Sequence, residues 1–127
     1  YPLICYEIAY PSLIRPKEDK YGLIITISND AWFGNTFAPH QHLQIARVRA
    51  LESSLPIIRA ANTGISAILD KRGRIVDKID LNHSGYINAE VFPSKGLTPY
   101  MYFGDYPILM LIFSIMLFNW KSYKKYG

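Results

Sequence analysis

Cys5 is the only cysteine in the chain, and it ends a short apolar run, Leu3-Ile4-Cys5. Pro2 to Ile8 reads as a short apolar strand, and in the following Ala9 to Arg15 Pro11 stands where the first turn of a helix tolerates proline, so the segment reads as strand, tight turn and helix. A thiol at such a junction is placed for nucleophilic work: the turn exposes it, and the unpaired amides of the helix start favour the thiolate. The other reading of a lone cysteine in an apolar run is a small, inert hydrophobe. Glu7 puts a carboxylate two residues later in the same apolar stretch. It needs either a cation, for which Arg15 is a candidate, or a chemical task.

Other residues with chemical potential have plainer readings. His40 and His42 are two apart at the start of a helical pattern and point to different sides, and no Cys or acidic cluster joins them. Capping or packing is therefore expected rather than a metal site. Arg47 falls on the apolar stripe of that helix, which predicts a buried ion-pair member. Asn29, Asp30 and Asn62 read as turn residues, and Lys71 to Arg74 as a solvated hairpin turn. Trp32 and Phe33 are large aromatics in a segment rich in turn formers, which suggests a binding rim at a strand end.

The elements that must position these groups follow from the periodicity. Tyr21 to Ser28 is a nearly unbroken apolar and β-branched run, the pattern of a strand buried on both faces. From Pro39 to Ser54 the spacing is helical, with Leu43, Ala46, Ala50 and Leu51 on one stripe and Arg49 within reach of Glu52. Ile57 to Ala61, Gly64 to Asp70, Ile75 to Ile79 and Gly85 to Val91 read as further strands. This order predicts a mixed α/β sheet.

Of the 127 residues, 50% are hydrophobic and 19% charged, which excludes a disordered or fibrous protein and fits one domain. The net charge is +4, but Lys121, Lys124 and Lys125 supply most of it. No basic face is left to engage nucleic acid. Every residue from Tyr106 to Trp120 is uncharged, aromatics cluster at both ends, and the lysines follow at once. The run is shorter than the roughly 20 residues of a usual span. Its flanks nonetheless match an aromatic belt and a positive-inside tail, so a transmembrane anchor is expected over a core helix. The chain starts at Tyr1 and enters an apolar run directly, so it is read as a fragment.

Four segments together carry a resemblance: ICYEIAYP (residues 4 to 11), ISNDAWFG (27 to 34), PHQHLQIARVRALES (39 to 53) and IIRAANTGISAILDKRG (57 to 73), followed by LTPYMYFGDYP. In this order they resemble the C-terminal part of the apolipoprotein N-acyltransferases, a membrane-embedded branch of the nitrilase, or carbon-nitrogen hydrolase, superfamily. The resemblance covers nearly the whole chain. It implies the C-terminal portion of a nitrilase-like αββα sandwich over residues 1–98, a juxtamembrane segment and transmembrane helix over 99–120, and a basic cytoplasmic tail over 121–127.

It also implies an activity: transfer of a fatty acyl chain from a phospholipid, through a cysteine thioester, to the α-amino group of the lipidated N-terminal cysteine of bacterial lipoproteins. Cys5 matches the nucleophile, and Tyr6 and Glu7 match the neighbours that the family also needs. Trp32 matches the tryptophan near the active site, and Trp32 and Phe33 together are expected to line the acyl-chain route. The family's general-base Glu and oxyanion-supporting Lys lie upstream of the nucleophile and are not in this chain, so little activity is expected of it alone. No cofactor or metal is implied. The partners are a phospholipid donor, an apolipoprotein acceptor and the bacterial inner membrane, with the catalytic domain periplasmic; the oligomeric state is left open. Two alternatives remain at this stage, a soluble nitrilase-type amidase and a non-catalytic membrane-anchored remnant.

Overall fold

The computed structural model describes residues 1–14, 21–96 and 98–126. Its centre is a five-stranded sheet in the order β1 (Pro2–Ile4), β2 (Ile24–Asn29), β3 (Ile57–Asn62), β4 (Ser66–Leu69) and β5 (Ile75–Ile79). The first three strands run parallel, with Leu3 beside Thr26 and Thr26 beside Arg59, and β4 and β5 complete an antiparallel meander. The parallel pairs need crossovers: the first holds the short helix α1 (Pro11–Ile14), and the longer one is the helix α2 (Ala38–Ser53), between β2 and β3.

Helix α2 covers one face of the sheet. Leu43, Ala46 and Ala50 recur at helical spacing and pack with Leu3, Ile24, Ile57, Ala67 and Leu69 in one buried cluster. Ser54 ends the helix in a left-handed conformation. Two helical expectations need correction. Leu51 is exposed, because it falls outside the arc shared by Leu43, Ala46 and Ala50. Arg47 is half-buried and makes no ion pair among the described residues; its Nε donates to the Gly73 carbonyl at 2.8 Å and its guanidinium to Gln44 at 3.0 Å. Arg49 does pair with Glu52, as their spacing predicts.

Strand β2 is not buried on both faces. Ile24, Thr26 and Ser28 are buried under α2, whereas Ile25 and Ile27 are 43% and 62% exposed on the other face. Alternation of this kind is what one covering layer produces. Asp70 builds the turn between β4 and β5, its carboxylate accepting the amides of Arg72 and Arg74 at 2.8 Å each. No strand forms over Gly85 to Val91. Instead of pairing with β5, this stretch exposes Tyr86 and leads to Ser94, whose amide bonds the Gly22 carbonyl at 2.9 Å.

Beyond the sheet lie α3 (Pro99–Phe103), capped by the Thr98 hydroxyl accepting the Met101 amide, and α4 (Tyr106–Tyr126). Every side chain of α4 from Tyr106 to Trp120 is exposed. Among the described residues no helix is long and apolar enough to cross a membrane. The span expected at 99–120 is thus not established by the helix itself, whose last turns carry lysines.

Candidate active site

The carboxyl ends of β1, β2 and β3 lie side by side, the edge at which open α/β sheets place their ligands. Cys5 follows β1 with φ +52°, a left-handed conformation that a non-glycine residue adopts at a cost of order 1–3 kcal/mol. It opens a 3₁₀ turn over Cys5–Ala9, so the strand expected to run on to Ile8 stops at Ile4. The chain therefore bends sharply at the thiol, so Cys5 is half-buried instead of continuing the strand.

Glu7 closes this turn. Its carboxylate accepts the Ile4 amide at 2.7 Å, across the bend from the thiol. Arg15, the partner considered from sequence, lies outside the described residues. The far side of the turn is tied to α2, where Arg49 Nε donates to the Ile8 carbonyl at 3.2 Å.

Beneath the elbow is a buried polar cluster. Asp30, immediately after β2, receives the Ser28 hydroxyl at 2.5 Å, His42 Nδ1 at 3.0 Å and the Arg59 guanidinium at 2.7 Å. Asp30, His42 and Arg59 are each no more than 2% exposed. Ser28 Oγ also faces Cys5 Sγ at 4.0 Å, which connects the cluster to the thiol. Gly64 makes the arrangement possible, since a side chain there would collide with the Asp30 carboxylate.

Electrostatics fix the protonation states. Burial, and then the positive charge of Arg59, push the His42 pKa below its ordinary 6.5, against the opposing pull of Asp30 and the Cys5 backbone, so the imidazole is neutral at pH 7. Burial also lowers the Arg59 pKa, opposed by Asp30 and by Cys5, and the guanidinium stays charged because its starting value is so high. A neutral His42 then donates from Nδ1 to the Asp30 carboxylate, which carries the only negative charge in the cluster.

This sets an acid limit on the fold. The folded-state pKa of His42 lies below the unfolded value, so stability present above pH 6.5 is lost as pH falls through the folded-state pKa. The thermal midpoint of the longest natural form should drop between pH 7.5 and pH 5, and His42→Asn should flatten that dependence. An equal slope in the variant would exclude His42 as its source.

The loop after Asp30 carries the aromatics. Trp32 is 86% exposed, whereas Phe33 is partly buried with its ring 6.1 Å from that of His42. Tyr6 approaches the other aromatic neighbour position of His42, at 5.8 Å, and is half exposed. Thus Cys5, Tyr6, Glu7 and Phe33 gather at one end of the sheet, with Trp32 on the adjoining loop. A cavity of 490 Å³ lined by residues including Pro56, Asp70 and Phe92 lies at the other end, where β3 begins.

The sequence reading missed Asp30, Arg59 and Ser28, and gave His42 only a packing role. A signal for them exists: Ile57, Arg59 and Ala61 share one side of a period-two strand, so Arg59 must face the helix and find an anion there. His40 is exposed, and among the described residues no three His, Cys, Asp or Glu are grouped to hold a metal ion.

Comparison with known proteins agrees with this geometry. The chain is 44% identical over 126 residues to the apolipoprotein N-acyltransferase of Rickettsia bellii, covering 98% of this chain and 25% of that protein. It is 50% identical over 113 residues to the apolipoprotein N-acyltransferase of Caulobacter vibrioides, covering 87% of this chain and 21% of that one. The chain thus spans about a quarter of these relatives' length. Among solved structures, XC1258 of Xanthomonas campestris, a CN-hydrolase superfamily protein, matches with a TM-score of 0.53 at 18% identity, over 65% of this chain and 36% of that one. That likeness concerns the fold alone. The model of the carbon-nitrogen hydrolase family matches residues 2–96, which include the elbow, the buried cluster and the whole sheet, and the chain belongs to that family.

Proposed function

We propose that this chain is the C-terminal part of an apolipoprotein N-acyltransferase and that Cys5 is its nucleophile. The observation that carries the reading is the bend at Cys5, which holds the only thiol of the chain at the carboxyl edge of the sheet. The relatives' names supply the reaction class.

In the first half-reaction the Cys5 thiolate attacks an ester carbonyl of a phospholipid. A carbon-sulfur bond forms, the carbon-oxygen bond breaks, and the lysophospholipid leaves as an alcohol that takes up a proton. In the second, the α-amine of a lipoprotein's lipidated N-terminal cysteine attacks the thioester; the amide bond forms, and the thiol recovers a proton as the carbon-sulfur bond breaks. Splitting the transfer this way exchanges one difficult displacement for two easier ones. Glu7 fixes the bend that aims the thiol, and Tyr6, Trp32 and Phe33 contact the lipid substrates. A base and an oxyanion donor from elsewhere in the αββα domain complete the site.

The same reading puts the catalytic domain on the periplasmic face of the inner membrane. Helix α4 supports it, since its uncharged surface from Tyr106 to Trp120 is exposed on every side and suits lipid. Residues 99–120 then form the juxtamembrane and anchoring segment, and 121–127 the cytoplasmic tail.

The test is an acceptor assay on the longest natural form of the protein, with acyl-labelled phosphatidylethanolamine and a peptide beginning with diacylglyceryl-cysteine. Label should appear in the peptide as an amide. Label released only as free fatty acid would make the protein a hydrolase and sink the transferase reading. Replacing Trp32 and Phe33 together by Ala should lower kcat/KM for the phospholipid by about 10-fold or more, the scale of about 1.4 kcal/mol of lost contact. Because Trp32 is largely exposed and Phe33 only partly buried, the variant should still fold, as judged by a cooperative thermal transition. Unaltered turnover would exclude the aromatic loop from the donor route.

A further inference from the structure

His42 belongs to the buried cluster, yet its ring does something the other members do not. It stands between Tyr6, on the elbow, and Phe33, on the aromatic loop, with ring centroids 5.8 Å and 6.1 Å away. Its Nδ1 donates to Asp30 at 3.0 Å, beside the Arg59 guanidinium. Rotation of the imidazole about its own bonds would break the Asp30 contact, so the ring plane is set from below. Both aromatic neighbours then pack against a surface of fixed orientation.

The unused nitrogen makes a packing role insufficient. Among the described residues His42 Nε2 is buried and meets no partner at hydrogen-bond geometry. An unpaired buried acceptor is costly, and a leucine or phenylalanine would fill the space without one. Among the described residues no hydrogen bond joins the Cys5 thiol to the imidazole. What remains is orientation of the two side chains that meet substrate.

We propose that His42 is a positioning residue for acyl transfer: anchored through Nδ1 on Asp30, its ring sets Tyr6 and Phe33 in one register above the thiol and so shapes the acyl-chain channel. This rests on the acyltransferase reading. The Asp30 anchor and the ring are separable. His42→Asn keeps a donor near the Nδ1 position but removes the ring between Tyr6 and Phe33. His42→Phe keeps a ring but removes the anchor and the buried nitrogen.

The experiment compares two reactions of Cys5 in the longest natural form, both read by mass spectrometry of the Cys5 peptide. One is alkylation by iodoacetamide, which is too small to need the channel; the other is acylation by phosphatidylethanolamine in mixed micelles. For both variants, acylation should slow at least 10-fold while alkylation stays within about 2-fold of the wild type. Acylation at the wild-type rate in either variant would overturn the proposal, because the lost group would then be dispensable. So would parallel changes in both reactions, the mark of a residue that merely supports the fold. A wild type that alkylates but never acylates would instead refute the underlying acyltransferase reading, which keeps the two failures distinct.

Discussion

Asp30→Ala is expected to destabilise the protein by about 3–5 kcal/mol, the usual result of stripping one partner from a buried ion pair. Asp30 is the anion on which Arg59, His42 and Ser28 all converge. Removing it leaves the Arg59 guanidinium almost fully buried with no counter-charge and the His42 Nδ1 proton with no acceptor. The cost arises from those orphaned groups rather than from the bond energy of the pair itself. Arg59→Met in the Asp30→Ala background should therefore recover at least part of the loss, since a methionine fills similar space without a charge to desolvate. Thermal unfolding of the single and double variants checks this. Additive losses would show that the two residues do not act as one unit.

Cys5→Ser is expected to abolish acyl transfer, with a loss of about 10⁴-fold or more, as when a nucleophile is removed from other covalent catalysts. Serine keeps the size of the side chain and the bend that holds it. It loses the thiolate, because a hydroxyl without a matched base is a poor nucleophile, whereas a thiol reaches its anionic form within the accessible pH range. Stability should change little, since Cys5 is only half-buried and its Ser28 contact is long. A serine variant with residual transfer within 10-fold of the wild type would remove Cys5 from the chemistry.

How much of this was legible in the sequence depends on which interactions decide each element. The strand-to-helix junction at Cys5 was legible because apolar runs and proline placement act locally. Helix α2 and strands β3 to β5 also follow from periodicity, with boundaries within a few residues. The Gly85 to Val91 strand failed because an alternating apolar pattern does not by itself supply a neighbour to pair with. The two-sided burial expected of β2 failed for a related reason: a run of isoleucines tells that a strand can be covered on both faces, not what covers it.

The buried cluster was the least legible part. Asp30 sits among turn formers, and its neighbours in space, His42 and Arg59, lie 12 and 29 residues away. Only the pairing register of β2 with β3, and the face that α2 turns to the sheet, bring them together. Arg59 inside an apolar strand was the one clue available beforehand.

The central claim, that Cys5 carries the acyl group, is tested most directly by the mass of the Cys5 peptide. The longest natural form would be incubated with phosphatidylethanolamine without acceptor, digested and measured. A gain of one acyl group at Cys5, removed by hydroxylamine and absent from Cys5→Ser, is the predicted result. An unmodified Cys5 peptide in a preparation that still transfers acyl chains to a lipopeptide would contradict it.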